Sequence, residues 1–536
     1  MNAREPPSEG QTYTEILKST ALIGGSSLIT VGFSIIRNKA MAVILGPEGV
    51  GLMAIYSSIA DIAQAVAGLG IQSSGVRQIA EAVGTGDAEK IARTAFILQR
   101  ISIVLGVAGT LLLAALALPV ARLTFGDHQH AVSVAFLSLA IFFRVASAGQ
   151  TAMIQGMREI ATLARINLLT AFFATLVTIP LVYFFSFDGV APSLVAIAAV
   201  TLFVSWWYSR KMMQSATNLS APQFRQELGE LLKLGLVFMA SGLLTLASAY
   251  VVRIIVLQHG GIVEAGLYQA AWALGSLYAG FILQAMGTDF YPRLTAIVSD
   301  HAACNRLVNE QARVSILLAG PGVLATLTFA PVVMRLFYSP EFYGAADLLR
   351  WICLGMLLRI IAWPMGFIVP AKGEQAIFFW TEIAATAVHI GLAWLLVAQF
   401  GLVGSAAAFF GLYIWHSILI YFFARRLTGF RWSPANFKIG SIFITASALI
   451  FCATLFLPFW QATALGSLAV LLSGLYSLKM LMGLLPPEQI PLPIRRWMFR
   501  AAGRVIERAH LVASITRKNA PQKSALRRRL LVNLFD

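Results

Sequence analysis

The chain has 536 residues, of which 58% are hydrophobic and only 12% charged, and its mean hydropathy is +0.76. Soluble proteins average about 25% charged residues, so this composition excludes a water-soluble domain and points to an integral membrane protein. The formal net charge of +16 does not point to nucleic acid, because half of the excess lies in one C-terminal tail.

The first apolar run follows a polar start, MNAREPPSEGQTYTEILKST, and is long enough to span, so it reads as a first helix and not as a cleaved signal. Apolar stretches of about 20 residues, enough to cross a hydrocarbon core about 30 Å thick, begin near Ile16, Val50, Ile91, Ala131, Ala161, Val190, Leu231, Gly266, Val314, Ala346, Ala376, Leu402, Gly440 and Ala462. The expected fold is therefore an all-α polytopic membrane protein of about fourteen transmembrane helices. Small and polar residues interrupt the second, seventh and eighth. Placing the N-terminus in the cytoplasm puts eighteen Lys and Arg in the even connections and six in the odd ones, as the positive-inside rule requires. Both termini then face the cytoplasm.

From Pro487 onward eleven basic and three acidic residues give a net +8, and Arg496, Arg500, Arg504 and Arg508 recur every four residues beside Trp497, Met498, Val505 and Ile506. That pattern suits an interfacial amphipathic helix drawn to anionic membrane lipids. A solvated basic tail is the other reading for residues 514–536. Three cysteines, Cys304, Cys353 and Cys452, imply no disulfide framework and no thiolate metal site.

Cationic positions recur at a constant offset. Arg37 precedes Arg253 by 216 residues, Arg77 precedes Arg293 by 216, Arg144 precedes Arg359 by 215, and Arg210-Lys211 precede Arg425-Arg426 by 215. Gly51-Leu52 is matched 215 residues later by Gly266-Leu267. The offset predicts a duplication of six spans into two parallel six-helix lobes, residues 1–218 and 219–430, related by an axis along the membrane normal. Two appended helices (431–486) and a basic cytoplasmic tail (487–536) follow. In such repeats the substrate path lies between the halves.

The runs ILGPEGVGLMAIYSSIADIAQAVAGLGIQSSGVRQIAE, GLYQAAWALGSLYAGFILQAMGTDFYPRLTAI, IVPAKGEQAIFFWTEI and FGLVGSAAAFFGLYIWHSILIYFFARR resemble the bacterial polysaccharide flippases. Within the multidrug/oligosaccharidyl-lipid/polysaccharide exporter superfamily they are most similar to Wzx-type translocases of O-antigen and enterobacterial common antigen. The resemblance covers roughly residues 15 to 430. It implies a flippase that moves undecaprenyl-pyrophosphate-linked oligosaccharide across the bacterial inner membrane, alongside a polysaccharide polymerase and a chain-length regulator. The appended helices and tail depart from its twelve-span pattern.

A pyrophosphate substrate needs cationic donors, and arginine holds phosphate oxygens bidentately while remaining charged. Arg144 and Arg359, each in the middle of an apolar run, are the leading candidate ligands, because charges at bilayer depth default to function. Arg37, Lys39 and Arg253 lie toward the outer ends of spans one and seven and resemble the basic positions of the flippases there; snorkelling to the interface is the structural alternative. Arg77 and Arg293, at the cytoplasmic ends of spans two and eight, suit either pyrophosphate capture or ordinary anchoring. Among carboxylates, Asp61 stands where the second copy has Ser276. It suits coupling to a proton or cation, or neutralisation of an arginine such as Arg144. Glu382 and His389, seven residues apart, share a helix face; a proton relay and a satisfied core histidine are the two readings.

No phosphate-binding loop, HExxH or nucleophile elbow occurs, so an enzyme is not expected and no cofactor is implied. The rival function is a cation-coupled multidrug exporter of the same superfamily. It calls for acidic cavity residues, whereas four repeat-matched cationic positions face a lone Asp61. A major-facilitator transporter fits the GIQSSGVRQIAE turn poorly, and the short odd loops leave little room for an envelope-polymer synthase.

Overall fold

The computed structural model describes residues 9–210, 221–285 and 290–484, with most side chains from residue 29 onward. Lys211 and the basic tail 487–536, including Arg496, Arg500, Arg504 and Arg508, lie outside the described residues. Helices follow one another as α1 (Glu9–Gly68), α2 (Ile71–Thr85), α3 (Ala88–Ala115), α4 (Ala117–Phe125), α5 (Ala131–Gly156), α6 (Ile160–Phe185), α7 (Val190–Ser209), α8 (Ala221–Ala285), α9 (Tyr291–Ala296), α10 (His301–Phe337), α11 (Ala345–Gly366), α12 (Ile368–Ala371), α13 (Gln375–Phe400), α14 (Leu402–Thr428), α15 (Pro434–Phe456) and α16 (Phe459–Leu484), with no strand among the described residues. The protein is an all-α polytopic membrane protein.

Helix starts carry the expected chemistry. Asp87 caps α3 by accepting from the Lys90 amide at 2.8 Å, and Asp300 caps α10 by accepting from Ala302 and Ala303. Ser433 caps α15, with Pro434 at its first helical position, where a missing N–H loses nothing. Eleven stretches of the described chain are long and apolar enough to cross a membrane. Large side chains such as Trp394 and Trp460, 61% and 80% exposed, cover the outside, which hydrocarbon can solvate and water cannot.

All fourteen expected span starts fall inside helices, but the first two share α1 and the seventh and eighth share α8. The physical reason lies at two glycines. Gly46 has φ 65° and ψ −164°, and Gly261 has φ 77° and ψ −177°, a region of the backbone map that essentially only glycine enters. Each breaks its long helix within one residue. These positions are 215 apart, and the offset returns at the positive-φ pairs Arg158/Gly373 and Ser186/Gly401. The 215-residue spacing read in the side chains is therefore also present in the backbone.

Among the described residues, those up to Leu471 form one compact unit and those from Leu472 belong to a second. In the first unit α1 packs on α8 and α6, α5 on α3 and α7, and α11 on α10 and α14. α1 and α8 approach closely at Gly51 and Gly266. A methyl group on Gly51 would collide with the Ile262 carbonyl oxygen, and one on Gly266 with the Pro47 carbonyl oxygen. Pro47 and Ile262 are themselves 215 apart, so the contact is reciprocal in the manner of an isologous interface. α15 is docked on α10: Asn436 Nδ2 donates to the Asn309 carbonyl at 2.7 Å, and the Phe443 ring lies against Gly320.

Candidate functional site

α1, α5 and α8 bring one polar node together. Beyond its break, α1 carries Ser58 and Asp61 three residues apart, which places them on one face. α5 supplies Arg144, whose Nη1 donates to Asp61 Oδ1 at 2.7 Å. α8 supplies Arg253, whose Nη1 donates to Ser58 Oγ at 3.0 Å, while Nε and Nη2 donate to Gln269 Oε1 at 3.2 and 3.1 Å. Asp61 lies within electrostatic reach of Arg253 as well. Two arginines from different parts of the chain thus converge on one carboxylate, leaving a local excess of positive charge.

At one end of this helix, Tyr56 and His130 form a hydrogen bond of 3.0 Å, and the Phe125 ring stacks on the imidazole at 4.0 Å. His130 sits in the connection before α5. Burial lowers its pKa from 6.5, and nearby Asp127 opposes that shift.

A second node lies among α11, α13 and α14. Arg359 faces the rings of Trp363 and Tyr413, at 4.8 and 5.7 Å from their centroids, a geometry that stabilises the cation through ring quadrupoles. Glu382 and His416 are within its electrostatic reach. Arg359 Nε, Trp363 Nε1 and His416 Nδ1 are all buried without a hydrogen-bond partner, an arrangement that leaves donors to offer to a ligand. His389 is buried and pairs with Ser248 Oγ through Nδ1 at 3.3 Å, and its Nε2 is unpartnered.

The other candidate cations occupy distinct settings. Arg37 has a buried Nε with no hydrogen-bond partner. Lys39 Nζ donates to the Leu336 carbonyl at 2.6 Å, next to the C-terminus of α10, where positive charge meets the helix dipole. Arg77 and Arg293 are exposed, on the short helices α2 and α9. The structure therefore gathers Asp61, Arg144 and Arg253 at one node and Arg359 and Glu382 at another.

Beside the first node is a cleft of about 370 Å³ whose walls include Asp61, Gln64, Gln72, Ser73, Phe238 and Leu243. Gln64 was legible at the helical spacing of three from Asp61. Ser58 and Gln269 were not, since a serine and a glutamine in apolar runs carry no signal until the break at Gly261 sets Gln269 beside Arg253. A further cross-chain pair joins α3 to α8, with Arg93 Nε 3.3 Å from Glu227 Oε1. Among the described residues no group of three His, Cys, Asp or Glu is placed to hold a metal ion.

A family model described as "Polysaccharide biosynthesis protein" matches residues 40–347, more than half of the chain. The chain is 22% identical over 422 residues to the lipid III flippase of Escherichia coli (strain K12), covering 74% of this chain and 95% of that protein. Among solved structures it is similar to an inward-facing multidrug resistance MATE family transporter of the MOP superfamily, with TM-score 0.64, 18% identity, and 75% and 95% of the two chains covered. It is also similar to the lipid II flippase MurJ in an inward closed conformation, with TM-score 0.63, 14% identity, and 87% and 100% covered.

Proposed function

This chain belongs to the polysaccharide biosynthesis protein family, and from that premise we propose that it is a flippase for undecaprenyl-pyrophosphate-linked oligosaccharide in O-antigen, exopolysaccharide or related envelope polysaccharide synthesis. The observation that carries the reading is the set of interior arginines with unused donors: Arg37 and Arg359 keep a buried Nε without a hydrogen-bond partner. A buried donor left unpaired costs about 1–3 kcal/mol; a phosphate oxygen would pair it with a charge-assisted bond. Arg253 and Arg144 add charge at the α1/α8 node, and Asp61 limits it.

In this reading the long stretches Ile29–Gly68, Ile160–Ser209 and Pro222–Leu277 each cross twice, giving two parallel six-helix lobes, followed by α15 and α16. The protein sits in the bacterial inner membrane with both termini in the cytoplasm, hands its product to a polymerase and its chain-length regulator, and catalyses no covalent step. Asp61 and Glu382 are the groups on which coupling to a proton or cation would act, each facing an arginine whose charge it offsets.

The test is deletion of the gene in its host, followed by mass spectrometry of undecaprenyl-linked intermediates. A lipid-linked oligosaccharide that accumulates on the cytoplasmic side and disappears on complementation supports the reading. Unchanged lipids together with altered sensitivity to cationic drugs would replace it with the multidrug exporter.

A further inference from the structure

The cleft beside Asp61 has two unlike walls and no basic lining residue. One wall presents Asp61, Gln64, Gln72 and Ser73; the other presents Phe238, Met239, Leu243 and Leu246. Among the described residues Asp61 is the only charged group lining it. Because Arg144 Nη1 already donates to Asp61 Oδ1 at 2.7 Å, that carboxylate is neutralised as a charge yet keeps lone pairs for further donors.

Each candidate ligand chemistry meets these walls differently. A pyrophosphate would find no basic residue among the described lining and Arg144 already engaged by Asp61, so it belongs with Arg37, Arg253 or Arg359 instead. An organic cation would want an unpaired carboxylate, and this one is paired. A pyranose ring carries hydroxyls at its rim, which amides, hydroxyls and carboxylates bind as donors and acceptors. Its faces are C–H surfaces that lie against aromatic and aliphatic side chains. The volume of about 370 Å³ falls at the lower end of small-molecule sites. It equals the share of about a dozen liquid waters at ~30 Å³ each, enough for a short sugar unit and too little for a long glycan with its lipid.

We infer that this cleft is the carbohydrate subsite of the transported lipid, with Asp61, Gln64, Gln72 and Ser73 reading sugar hydroxyls and Phe238 supporting a ring face. The inference rests on the flippase reading and deepens it by dividing the substrate in two. The arginines hold the pyrophosphate, and the cleft, which lacks a basic residue among its described lining, reads the sugar. Arg144 acts here as a positioning residue that fixes Asp61. Sugar preference is then set by the cleft and is separable from affinity for the pyrophosphate.

The full-length protein, reconstituted in lipid nanodiscs, is titrated with two probes: undecaprenyl pyrophosphate, and the lipid-linked oligosaccharide isolated from host cells lacking the gene. The native chain should bind the glycolipid at least about tenfold more tightly than the bare lipid. Gln64→Leu combined with Gln72→Leu should bring the two within about threefold by weakening the glycolipid alone, and Phe238→Ala should do so in part. Equal weakening of both probes would make the cleft a pyrophosphate site and overturn the inference. Unchanged discrimination would overturn it too, as would tetraphenylphosphonium binding that depends on Gln64 and Gln72. Native protein that binds neither probe would instead remove the flippase reading itself, a result distinct from loss of discrimination alone.

Discussion

Arg359 and Arg144 are matched in sequence and unlike in their surroundings. Arg144 is fixed by a carboxylate, while Arg359 lies against two ring faces with its Nε unpaired. Lysine in place of Arg359 keeps the charge but loses the planar fork, so Arg359→Lys should lower flipping in reconstituted vesicles about as much as Arg359→Ala, whereas a pure charge requirement would leave it near the native rate. The double variant Arg144→Ala, Arg359→Ala should insert and accumulate yet fail to complement a deletion strain; full complementation would end the arginine model. His130 supplies a pH prediction. Its pKa is depressed in the folded state, so the unfolded chain binds more protons on acidification. The stability it contributes is complete above about pH 6.5 and is lost as pH falls from 6.5 through the lower folded value. Thermal unfolding in detergent should show that slope, and His130→Gln should flatten it.

At the scale of helices, the reciprocal contact at Gly51 and Gly266 leaves no room for a side chain. Gly51→Leu should force α1 from α8 and lower stability by about 1–3 kcal/mol, whereas Gly84→Ala, where nothing lies within 4 Å, should leave the melting temperature almost unchanged. Hydropathy was enough to read the membrane-spanning helical class, because bilayer thickness sets the length of an apolar run. The merging of spans within α1 and α8 was not readable, since it depends on single residues entering a rare backbone region. The site was half readable. Intramembrane charge singled out Arg144, Arg359 and Asp61, and the pairing of Asp61 with Arg144 was one of its two readings; the setting of Arg359 against Trp363 and Tyr413 emerged only from tertiary packing.

For the molecule as a whole, the Arg93–Glu227 pair joins α3 to α8. A carrier that alternates its access has to separate such cross-chain contacts in turn. In a chain with Cys304, Cys353 and Cys452 replaced by alanine, Arg93→Cys and Glu227→Cys joined by a short bis-methanethiosulfonate, which forms a reductively cleavable disulfide with each thiol and releases sulfinate, should stop flipping, and reductant should restore it; flipping that continues while cross-linked would show that these helices stay together throughout the cycle. The glycine contact between α1 and α8 adds a thermodynamic point. Its surfaces are carbonyl oxygens and glycine backbone, so closing it immobilises no rotamers. An equivalent seal built from methionine or lysine would surrender up to about 1.5–2 kcal/mol of side-chain entropy per residue at every closure. In the flippase reading, where α1 and α8 part and rejoin, glycine at positions 51 and 266 avoids that penalty.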